Sequence, residues 1–129
     1  MAKDLLSTHY SKDPTDPTWK DAQNLKDWQA FMEKYFPDGD RTSCFTVYGY
    51  AVAHTMVHVL KQSGDDLTRA NIMKQAASLK QVINPMLLPG ITINTSPTDY
   101  FPIEQMQMMR FTGERWELFG PVLSGDVGS

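Results

Sequence analysis

From Trp19 onward, apolar residues recur at steps of three and four. Leu25, Trp28, Phe31, Met32, Tyr35 and Phe36 form one stripe, which predicts an amphipathic helix closed by Pro37 and Gly39. A second helix is predicted from Ser43 to Gln62. It carries Phe45, Val47, Tyr48, Tyr50, Val52, Met56, Val57, Val59 and Leu60. Apolarity on nearly every side predicts burial on several sides, and Gly64 supplies a stop. The stretch "DDLTRANIMKQAASLK" predicts a third helix, with Thr68 as N-cap and Leu67, Ile72, Met73, Ala76 and Leu79 facing inward.

The flanks follow other rules. Asp4 to Tyr10 suits a short strand. Pro14 and Pro17 then fix a rigid loop, because proline sets φ and pushes its predecessor out of the helical region. Thr18 is the expected N-cap of the first helix, with Asp21 at its third position. After Lys80, Pro85, Pro89 and Gly90 are breakers, "ITIN" suits a short β-branched strand, and "TSPTDYFP" is a loop. "IEQMQMMRF", "TGE" and "RWELFG" predict a β-hairpin, although Ile103, Met106 and Met109 also fit a helix. The expected fold is α+β: three helices, a short N-terminal strand and a C-terminal antiparallel hairpin. It is one domain over 1–129, with a strand and Pro-rich loop (1–18), a helical part (19–80), a β part (81–125) and a disordered tail (126–129).

Charge narrows the function. The net charge is −3 and no run of Lys or Arg occurs, which argues against nucleic acid and against an anionic membrane surface. No apolar stretch reaches transmembrane length. The segment "MAKDLLSTHYSKDP" lacks the apolar core of a signal peptide, so the chain as written is expected to remain in the cytoplasm. Cys44 is the single cysteine, expected as a small half-buried thiol.

The candidate chemistry is sparse. His54 and His58 share a helix face at metal-ligand spacing, but "HTMVH" has no glutamate, and a third ligand such as His9 would have to come from elsewhere. A small zinc enzyme built on this pair is one alternative reading, and a stand-alone interaction or sensor protein is another. Asp13 and Asp16 flank Pro14 and suit turn hydrogen bonding better than acid–base work. Glu114 and Glu117 are expected to be solvated. No nucleophile, base and orienting group assemble, so no enzyme, cofactor or metal is expected. The aromatic run "FTVYGY" suits either core packing or the lining of a ligand cleft.

Three segments, "KDPTDPTWKD", "TVYGYAVAHTMVHVLKQSGDDLTRANIMKQAASLK" and "MLLPGITINTSPTDYFPIEQMQMMRFTGERWELFGP", occur in an order that resembles the C-terminal part of periplasmic substrate-binding proteins of ABC transporters, of the branched-chain amino-acid binding type. That family is a two-lobed α/β clamshell with the ligand between the lobes. This chain resembles its last third. The resemblance implies a small-molecule ligand, an amino acid or other small carboxylate, an ABC permease as partner, and a periplasmic location. It implies that the second helix presents its N-terminal end to the cleft, making Phe45 and Tyr48 ligand-binding candidates. Tyr10 and Asp13 become cleft-edge candidates. With one lobe alone, binding is expected to be weak or undetectable. The uncovered apolar helix is expected to drive homodimerisation.

Overall fold

The computed structural model describes residues 3–125. The order of elements is β1 (Leu6–His9), a 3-10 turn (Pro17–Trp19), α1 (Gln23–Tyr35), α2 (Cys44–Ser63), α3 (Arg69–Ala76), β2 (Gln105–Phe111) and β3 (Trp116–Ser124). This is the α+β arrangement of three helices with a terminal hairpin. The tail expected at 126–129 lies outside the described residues. The three strands form one antiparallel sheet in the order β1-β2-β3.

β1 pairs with β2 from Leu6 opposite Arg110 to His9 opposite Gln107. The hairpin closes with Phe111 opposite Trp116, and Gly113 in the turn adopts φ 105°. Such a φ suits glycine, which has no Cβ to clash. The β2–β3 register shifts at Gln107/Met108. The extra residues are Gly120 and Pro121. Gly120 takes φ 69°, and its carbonyl accepts from Gln107 Nε2 at 2.9 Å. A bulge of this kind bends the strand and increases its local twist.

α2 and α3 begin where side chains satisfy their first amides. Ser43 Oγ accepts from the Phe45 amide at the start of α2, and Thr68 Oγ1 accepts from the Asn71 amide at the start of α3. Thr18 does not cap α1. Asp16 Oδ1 takes the Thr18 amide at 2.9 Å, so Thr18 sits inside a 3-10 turn. The chain then re-enters helix at Gln23 with Ala22 at the cap, which leaves Asp21 in the link.

The core is built around the segment that the prolines and glycine had marked as broken. Met86, Leu87, Leu88, Ile91 and Ile93 are all buried. Leu87, Leu88, Ile91 and Ile93 pack with Val59, Leu79 and Val82, and Leu118 and Val122 of β3 lie against this cluster. Met86 reaches the other cluster, with Leu25, Trp28 and Met32 of α1 and Val47 of α2. Each such side chain contributes about 1.5–3 kcal/mol on burial. The "ITIN" strand does not form. Ile93 makes only an isolated bridge to Val82, because this stretch packs as loop against the core.

Several residues expected inside are outside. Of the α1 stripe, Leu25, Trp28 and Met32 are buried, while Phe31, Tyr35 and Phe36 are exposed. Leu67 and Met73 of the third helical region are exposed. The largest departure is α2, where the buried residues are Val47, Val59 and Ser63. The core touches α2 along one narrow stripe with Tyr50 and Ala51 half-buried against it, while Phe45, Tyr48, Val52, Met56, Val57 and Leu60 face solvent.

Candidate binding site

Beyond His9 the chain stays extended and pairs with the core segment. The Leu88 amide donates to the Tyr10 carbonyl at 2.9 Å, and the Lys12 amide donates to the Met86 carbonyl at 2.8 Å. Extended backbone alternates its side chains. His9, Ser11 and Asp13 therefore line one cavity, while Tyr10 lines a groove that Ser11 also borders.

The cavity has a volume of about 280 Å³. The end of β1 and the loop after it form one wall, through His9, Ser11, Asp13 and Asp16. Thr42 and Cys44, at the N-terminal end of α2, form another, and Trp19 and Trp116 supply aromatic surface. The two segments expected at a cleft edge thus meet here, through Asp13 on one side and Thr42 and Cys44 on the other. Cys44 is exposed rather than half-buried, because it sits on the first turn of α2 beside the opening.

Hydrogen bonds hold these walls. Asp13 Oδ1 accepts from the Thr15 amide at 2.8 Å and from Thr15 Oγ1 at 2.7 Å. Asp40 Oδ1 does the same for Thr42, which keeps the Asp40 carboxyl below the usual carboxylate range. Ser11 Oγ lies 3.1 Å from His9 Nε2. Burial pushes the His9 imidazole below its ordinary pKa, and the charge of Asp13 opposes that shift. His9 is therefore a neutral hydrogen-bonding wall at pH 7.

Trp19 is braced from behind. The Lys12 ammonium lies 5.5 Å from its ring centroid and donates to the Pro85 carbonyl at 2.6 Å. Lys12 is only 5% exposed, and desolvation lowers its pKa.

Tyr10 and Tyr48 meet elsewhere. Both line an apolar groove of about 390 Å³ between α2, α3 and the Tyr100–Ile103 segment. Phe45 is 81% exposed and lines neither this groove nor the cavity. It projects to solvent because the core contacts α2 on the side of Val47. Ser11, Thr42 and Trp116 were not among the expected site residues, and His9 was a candidate only as a metal ligand. The period-two alternation of the extended chain from His9 to Asp13 was the available signal for His9 and Ser11.

His54 and His58 are both exposed. Burial lowers the His54 pKa, and His58 and Lys61 add to the shift. Among the described residues, no group of three His, Cys, Asp or Glu side chains is placed to hold a metal ion. Nor is any described helix long and apolar enough to cross a membrane. Comparison of the chain with family models, curated proteins and solved structures finds no match.

Proposed function

We propose that this chain is a solute-binding unit, or part of one, of an ABC-type uptake system for branched-chain amino acids or related small carboxylates, and that it is not an enzyme. On this reading it works in the periplasm with an ABC permease. The observation that carries the proposal is the meeting of the Asp13 loop with the start of α2 around one cavity. The two walls differ in charge. Asp13 and Asp16 suit an ammonium group, whereas the positive end of the α2 dipole suits a carboxylate. Trp19, Trp116 and Leu118 offer apolar surface for a side chain. A zwitterion with an apolar side chain fits that division.

The cavity is open to solvent beside the exposed Cys44, so it excludes little water from a ligand. Binding by the chain alone is therefore weaker than about 10 μM, or about 7 kcal/mol. Calorimetry with leucine, valine and aromatic acids tests this. The expected result is weak saturable heat that disappears in Asp13→Ala. Binding that is indifferent to Asp13→Ala would overturn the assignment of the site.

A further inference from the structure

We propose that α2 is also an assembly surface, on which a second copy of this chain docks its own α2 in antiparallel fashion about a two-fold axis. Phe45, Tyr48, Val52, Met56 and Leu60 recur at steps of three and four and are all exposed, from 81% at Phe45 to 36% at Leu60. At about 100° per residue they form one continuous ridge, on the side of the helix away from Val47.

The area is sufficient for a stable pair. With typical side-chain areas, this ridge and the neighbouring Met73 and Tyr100 expose about 600 Å² of apolar surface per chain. A standard interface buries about 800 Å² per partner, a little over half of it apolar.

The chemistry selects a second copy as the occupant. From Cys44 to Leu60 the helix bears no Asp, Glu, Lys or Arg, so a charged partner would find no counter-charge there. An antiparallel copy is equally neutral, and it opposes the two helix dipoles favourably. It is also complementary in shape. A two-fold between Val52 and Ala53 sets Gly49 against Met56 of the other copy, and Phe45 against its Leu60. Gly49 stands in the middle of a helix, where glycine is unfavourable. Among the described residues a Cβ built on it meets nothing within 4 Å, so none of them requires the glycine. Close approach of a second helix does.

Sedimentation of the full chain at micromolar concentration tests the proposal. The expected species has about twice the 14.6 kDa chain mass. Val52→Asp is expected to give a monomer with unchanged circular dichroism. Gly49→Lys serves as the second variant, because it favours the helix and its Cβ meets no atom of the described residues. It is expected to raise the dimer dissociation constant at least tenfold. His58→Asp, on the opposite side of α2, is expected to leave the dimer intact. A monomer at 100 μM, a dimer that survives both Val52→Asp and Gly49→Lys, or a dimer lost in His58→Asp would each overturn it.

Discussion

The Asn84 side-chain amide donates to the Ala51 carbonyl in the middle of α2, at 2.8 Å. The same nitrogen reaches Thr55 Oγ1 at 3.1 Å, while Asn84 Oδ1 accepts from the Met86 amide at 3.0 Å. One buried side chain therefore ties the core segment to a helix that otherwise touches the core along a narrow stripe.

Removing that tie is costly. Asn84→Ala leaves the Met86 amide unpaired in a buried place, and such a loss costs about 1–3 kcal/mol. Urea unfolding should show a lower midpoint with little change in slope. An unchanged midpoint would mean that α2 is held by Val47 and Val59 alone.

Trp28 separates packing from hydrogen bonding. It is fully buried, and its indole nitrogen has no hydrogen-bond partner among the described residues. Trp28→Ala is expected to cost about 3–5 kcal/mol through the cavity it leaves. Trp28→Phe should cost clearly less, because it removes an unpaired donor along with some volume. Equal losses in both variants would show that the indole N–H is satisfied in solution.

Stability should depend on pH through His9. Burial lowers its folded pKa, so the unfolded chain binds the proton more readily. The contribution is present above the unfolded value, near 6.5, and is lost as pH falls through the folded value. His54 is shifted in the same direction. Thermal midpoints recorded from pH 7.5 to 5 should fall, with a shallower slope in His9→Gln and a shallower one still when His54→Gln is added. An unchanged slope in His9→Gln would mean that the ring is solvated.

The sequence made the regular elements legible. The 3.6-residue period located α1, α2 and α3, and the Gly113 turn located β2 and β3, because these signals are local. The core was less legible. Prolines 85 and 89 and Gly90 forbid regular structure but do not forbid burial, and Met86 to Ile93 fill the interior as irregular chain. Conversely, the apolar character of α2 does not say what covers it. Phe45 and Tyr48 were candidates through the resemblance to substrate-binding proteins, but their direction depends on which face of α2 meets the core. Asp13 was a candidate through the same resemblance. Its neighbours Thr42 and Trp116 are distant in the chain, and only folding brings them to the same cavity.

The central claim is that a small zwitterion occupies the cavity between the Asp13 loop and the start of α2. An NMR titration of the labelled chain with leucine tests it most directly. The account predicts saturable shifts at Asp13, Thr42, Cys44 and the Trp116 indole, with a dissociation constant weaker than about 10 μM, and smaller shifts along the Tyr10–Tyr48 groove. No shift at these residues at tens of millimolar leucine, or shifts confined to the groove, would contradict it.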